Sequence, residues 1–162
     1  MIKVLLFLIG ATNCLSIPND IEFPNNWGVQ YIPDHEYDAS KFNYIECFPY
    51  MGEDDVLRLK MQITDSVVDY FVITEGLYTH TGIEKELRFN IENFPEFRHK
   101  IIYMPLRDMP FVRENAKTRF DYWENEYYMR NQAINAIKRI ADENTIIISD
   151  DLDEILRPES IL

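Results

Sequence analysis

Cysteine is scarce in this 162-residue chain: only Cys14 and Cys47 occur. If the N-terminal segment that carries Cys14 is cleaved off, Cys47 has no partner, which excludes a disulfide scaffold. Histidine is equally thin, and His35, His80 and His99 form no zinc-binding cluster. GxSxG is absent, so there is no serine-hydrolase elbow. A Walker loop and GxGxxG are also missing, and no Asn-x-Ser/Thr acceptor occurs. Basic residues are outnumbered, 16 against 28 acidic, for a formal charge of -12. That balance repels a nucleic-acid backbone and an anionic membrane surface, so neither is expected as the main partner. It still allows a phosphate ligand that arrives with a divalent cation.

No long apolar run is present. The start, MIKVLLFLIGATNCLS, has Lys3, a short apolar stretch from Val4 to Ala11 and small residues near Ser16. A comfortable bilayer span needs about 20 apolar residues. Residues 1–16 are therefore expected to be a secretory signal or short membrane anchor, with a buried first strand as the alternative. Residues 17–42, rich in Pro, Asn, Asp and Tyr, have no period and read as an irregular lead-in or stem. The 46% hydrophobic share suits one globular domain with a core, expected over residues 43–162.

From Tyr44 the pattern is ordered. YIECF (44–48) predicts a strand stopped by Pro49. EDDVLRLKMQI (53–63) predicts a helix, with Asp54 and Asp55 at its positive end and Val56, Leu59 and Ile63 as its apolar stripe. VVDYFVITEG (67–76) and KIIYMP (100–105) predict strands, and 106–120 a loop. NEYYMRNQAINAIKRIADE (125–143) predicts the longest helix, with a stripe of Tyr127, Arg130, Ile134, Ile137 and Ala141 and with Ala133 and Ile140 beside it. TIIIS (145–149) predicts the last strand. Strands alternating with helices imply an α/β fold around a mostly parallel sheet. Ligands in such sheets sit beyond the carboxyl ends of the strands.

Directly after the last strand come Asp150, Asp151, Asp153 and Glu154. Side chains of an extended chain alternate, so Asp151 and Asp153 can point to one side and offer hard oxygens to Mn²⁺ or Mg²⁺. A cation held there can bridge a nucleotide's phosphates and stabilise a departing diphosphate. The other reading of the same residues is a solvated acidic turn or a helix cap. Glu75 should reach the same sheet edge, as a contact to ribose or base or as a solvated strand end. Arg130 can face a diphosphate or the acidic turn, or simply pair with Glu126. His80 reads as a loop histidine, and Trp123 with its aromatic neighbours as core rather than a sugar-stacking platform.

Four stretches, ECFPYMGEDDVLRLKM, VVDYFVITEGLYTHTG, WENEYYMRNQA and IIISDDLDEILRPESIL, occur in this order. As an ordered set they resemble the β-1,4-mannosyl-glycoprotein 4-β-N-acetylglucosaminyltransferases, the N-acetylglucosaminyltransferase III family, from about Tyr44 to Leu162. The resemblance implies a GT-A-like, Rossmann-related fold, incomplete at the C-terminus. It also implies a metal-assisted inverting transfer from UDP-N-acetylglucosamine to the β-linked core mannose of an N-glycan, in the secretory pathway and usually at the Golgi membrane. The family's Ser-Asp-x-Asp-Glu-Ile pattern falls on Ser149, Asp151, Leu152, Asp153, Glu154 and Ile155, which favours the metal reading of Asp151 and Asp153. Glu75, Thr79 to Gly82, and Trp123, Glu124, Arg130 and Asn131 match further segments.

There are departures. An extra acidic residue, Asp150, precedes the motif and leaves open which aspartate is the ligand. Leu156 stands at a family proline, and Ile83 where a basic residue often follows Thr-Gly. Family members continue well beyond the acidic motif, where a general base and acceptor pocket are expected. Two readings of the chain stay open: the donor-binding half of a transferase, or a non-catalytic secreted module that binds a divalent metal or a nucleotide sugar.

Overall fold

The computed structural model describes residues 42–115, 121 and 123–161. The expected signal or anchor, and the lead-in up to residue 41, lie outside the described residues. Four strands, β1 (Asn43–Pro49), β2 (Tyr70–Gly76), β3 (Ile101–Leu106) and β4 (Thr145–Ser149), form one sheet in the order β3-β2-β1-β4. Every pairing is parallel. Helix α1 (Asp54–Thr64) links β1 to β2, and α2 (Trp123–Ile137) lies between β3 and β4. The fold is thus the expected α/β, GT-A-like parallel sheet, and β4 has the predicted boundaries.

Period two decides which helix each strand residue meets. Ile45, Cys47, Val72 and Ile147 pack with Ala133, Ala136 and Ile137 of α2. Phe48, Phe71 and Ile73 pack with Leu57 and Met61 of α1 and with Phe94, Phe97 and Leu152. Both sheet faces are covered, so the strands read as nearly continuous apolar runs. Cys47 is free and buried, and burial pushes its thiol up to about 11, despite a hydrogen bond with Ser149.

Helix α1 buries a face other than the one expected, and α2 only part of the expected one: Ile137 and the neighbouring Ala133 are buried, and Ala141 and Ile140 pack against the same cluster. In α1 the buried residues are Leu57, Lys60, Met61 and Thr64, whereas Leu59 is 48% and Ile63 37% exposed. The true stripe contains a lysine, so on hydropathy alone it looks broken. In α2 the buried residues are Asn125, Met129, Ala133, Ala136 and Ile137. Tyr127 and Ile134, assigned to the stripe, are exposed. Ala133, Ala136 and Ile137 pack on the sheet, whereas Trp123, Tyr127 and Ile134 face away. The helix also stops at Ile137, earlier than expected. The chain then turns through Ala141 N–H to Ile137 O (2.8 Å), and Asp142 accepts from the Asn144 amide and the Thr145 hydroxyl to launch β4.

No helix among the described residues is long and apolar enough to cross a membrane.

Candidate functional site at the strand switch point

From β1 the chain crosses to β2 on one side, and the neighbour on the other side is β4. The carboxyl ends of β1 and β4 therefore border the crevice where connections diverge, the usual ligand position in open α/β sheets. A cleft of about 440 Å³ lies there. Pro49, Val56, Met129 and Leu152 are among its lining residues, together with Glu53, His80, Glu126, Asp151 and Asp153. A smaller hollow, about 310 Å³, lies around Asn43, Asp69, Tyr70, His99 and Lys100 at the opposite end of the strands, the wrong end for such a site.

Asp151 and Asp153 thus share the cleft. The turn that carries them closes on itself: the Asp151 amide donates to Glu154 Oε2 at 3.0 Å, and the Glu154 amide to Asp151 O at 3.1 Å. Arg130 reaches across from α2. Its Nη2 pairs with Asp151 Oδ1, its Nη1 donates to Asp150 O at 3.0 Å, and its Nε lies 3.3 Å from Glu126 Oε1. The two roles left open for Arg130, site residue and partner of Glu126, are therefore filled at once.

Asp150 is a different kind of residue. It is 5% exposed and, unlike Asp151 and Asp153, is not among the residues that line the cleft. Lys60, fully buried, donates from Nζ to Asp150 Oδ2 (2.8 Å), Asp151 O (3.1 Å) and Glu154 O (2.7 Å). Glu46 Oε1 is 3.1 Å from the same nitrogen. Phe48 covers the ammonium, 5.0 Å from ring centroid to Nζ. Burial and the Glu46 charge push the Asp150 carboxyl up to about 8, against the opposing pull of Lys60. Glu46 Oε1 and Asp150 Oδ1 have no hydrogen-bond partner.

Glu75 is also fully buried. It accepts from Lys85 Nζ (2.6 Å), the amides of Arg88 (2.8 Å) and Phe89 (3.1 Å), and Tyr103 OH (2.8 Å). Burial alone would raise its carboxyl, but these donors outweigh that and hold it below the ordinary range. In this arrangement Glu75 anchors the segment after β2. Gly82 in that segment has φ +73°, and a Cβ there would fall 2.5 Å from Arg113 N. Asn125 ties the same region to α2: it accepts from Phe111 N and donates to Phe111 O and Thr79 O at 2.8–3.0 Å. Trp123, expected in the core, is 49% exposed beside Tyr127, with ring centroids 6.4 Å apart.

Sequence reasoning missed Lys60, Glu46 and Asn125. The available signal was Lys60 between Leu57, Met61 and Thr64 on a helix, and Glu46 within an apolar strand: opposite charges on elements that must pack together.

Among the described residues no three His, Cys, Asp or Glu side chains converge on a metal-sized site. Mg²⁺-type ions are commonly held by one or two carboxylates, with substrate phosphate and water supplying the rest. Asp151 and Asp153 are hard oxygen donors of that kind.

Comparison with known proteins gives a family and relatives. The model of glycosyltransferase family 17 matches residues 26–162. The human and rat proteins named beta-1,4-mannosyl-glycoprotein 4-beta-N-acetylglucosaminyltransferase are each 29% identical over 118 residues, which is 68% of this chain. The chain spans 21% of the length of these relatives. No solved structure matches.

Proposed function

The chain belongs to glycosyltransferase family 17, and from that premise we propose that its cleft is the donor site of an N-acetylglucosaminyltransferase. The donor is UDP-N-acetylglucosamine and the acceptor the β-linked core mannose of an N-glycan, met in the Golgi lumen. The observation that carries the reading is the placement of Asp151 and Asp153 together in the switch-point cleft, next to a guanidinium that a diphosphate can recruit.

Asp151 and Asp153 would hold Mn²⁺ or Mg²⁺. When bound, the ion offsets negative charge on the diphosphate leaving group. Arg130 is planar and forked, suited to phosphate oxygens, and in the free protein it neutralises Asp151. With Asp151 given over to a cation, the Arg130 guanidinium would be free to pair with the diphosphate oxygens. Glu75 acts at one remove, by holding the segment that places His80 in the cleft.

The test is transfer by the full protein from UDP-N-acetylglucosamine to an N-glycan core, read as one added N-acetylhexosamine on the β-linked mannose. That product supports the reading. UDP binding with no transfer to any N-glycan favours the non-catalytic module, and absence of UDP binding removes the donor site altogether.

A further inference from the structure

We propose that Lys60 is a positioning residue: its buried ammonium sets the backbone of the Asp150–Glu154 turn so that Asp151 and Asp153 face the cleft. The role assigned to those aspartates rests on the donor-site reading, whereas the clamp itself rests on geometry.

An ammonium has three protons to donate. Lys60 sends one to the Asp150 carboxyl and two to main-chain carbonyls, those of Asp151 and Glu154. These two carbonyls bracket the turn, and Leu152 and Asp153 lie between them. With all three protons committed, Glu46 Oε1 at 3.1 Å is left with an ion-pair contact but no hydrogen bond. Packing alone does not call for a lysine here. Replacing a buried ionic cluster with apolar groups of similar size is often neutral or stabilising. What an apolar side chain cannot do is hold two carbonyls from below.

The clamp also unites distant parts of the chain. Lys60 lies on α1, Glu46 on β1 and the turn after β4, so the side chain joins the two strands that border the cleft. Arg130 grips the same turn from the α2 side through Asp150 O. The acidic turn is therefore held between cations on opposite faces of the sheet, one buried and one at the cleft.

The test uses the triple variant Lys60→Met, Glu46→Gln, Asp150→Asn, which removes the buried charges together and keeps the side-chain volumes. Backbone hydrogen exchange and calorimetry with UDP and Mn²⁺ are compared with the wild type. The clamp predicts a cooperatively folded variant in which protection falls about tenfold or more at the Asp151 and Glu154 amides but is retained in β1 and β2. It also predicts UDP–Mn²⁺ affinity weaker by about tenfold or more. Unchanged protection of the turn, or unchanged affinity, overturns the proposal. Glu46→Gln alone keeps all three Lys60 hydrogen bonds and serves if the triple variant does not fold. It must preserve turn protection, and loss of protection there also overturns the clamp. A wild type that does not bind UDP refutes the donor-site reading, and the exchange result then decides on Lys60 alone.

Discussion

Arg130 Nη2 pairs with Asp151 Oδ1 across the gap between α2 and the turn after β4, with neither side chain fully buried. The pair is partly open to solvent, so it contributes little to stability, about 1 kcal/mol or less. On the donor-site reading its effect falls on ligands, because Asp151 cannot serve a cation fully while it serves a guanidinium.

Replacing Arg130 with Ala should therefore split two affinities. Mn²⁺ alone should bind more tightly, because its competitor for Asp151 is gone. UDP in the presence of Mn²⁺ should bind more weakly by about 1.5–3 kcal/mol, the range of a charge-assisted hydrogen bond. Calorimetry of the two titrations checks this, and a shift of both in the same direction contradicts the competition.

Asp150 predicts how stability varies with pH. Its folded-state carboxyl is raised from 3.8 to about 8, so the native protein keeps a proton that the unfolded chain releases. That contribution is complete at acid pH and is lost as pH rises from about 4 to about 8. Glu75 works in the opposite direction: its lowered carboxyl stabilises above 4.5, and this is lost as pH falls through the folded value. Urea unfolding across this range should show wild-type stability falling toward pH 8, with a shallower fall in Asp150→Asn. Parallel curves for the two proteins would rule out Asp150 as the source.

Asn125→Ala removes a buried amide that meets two loops at once. The groups it leaves unpaired should lower stability on the order of 3 kcal/mol. Exchange should quicken around Thr79 and Phe111 and not in β1. A loss well under 1 kcal/mol, or a uniform change in exchange, would show that the loops do not depend on this side chain.

The sheet and its helices were legible because strands covered on both faces are apolar throughout and because turn residues separate them. Helix faces were less legible. Choosing Val56, Leu59 and Ile63 over Leu57, Lys60, Met61 and Thr64 comes from treating lysine as a surface residue. That rule fails where Glu46 and Asp150 wait in the core. In α2 the rule that large apolar groups mark the buried side held for Ile137 and Met129 but failed for Trp123, Tyr127 and Ile134, which stand outside.

Topology carried part of the site: the carboxyl end of the last strand put Asp151 and Asp153 at the ligand edge of the sheet, whereas Arg130 was left between that edge and Glu126 and reaches both. Burial did not follow from topology. Nothing local in DDLDE distinguishes Asp150, which is sequestered, from Asp151, which meets the cleft. The difference comes from a lysine 90 residues earlier in the chain.

On the donor-site reading, Asp151 and Asp153 bind UDP through a divalent cation. The most direct measurement is calorimetric titration of UDP into the wild type and the Asp151→Asn, Asp153→Asn double variant, each with Mn²⁺ and with a chelator. The account predicts wild-type binding that requires Mn²⁺ and is lost in the double variant while its thermal unfolding is preserved. Equal UDP affinity with metal and with chelator, or a double variant that binds as the wild type does, would contradict it.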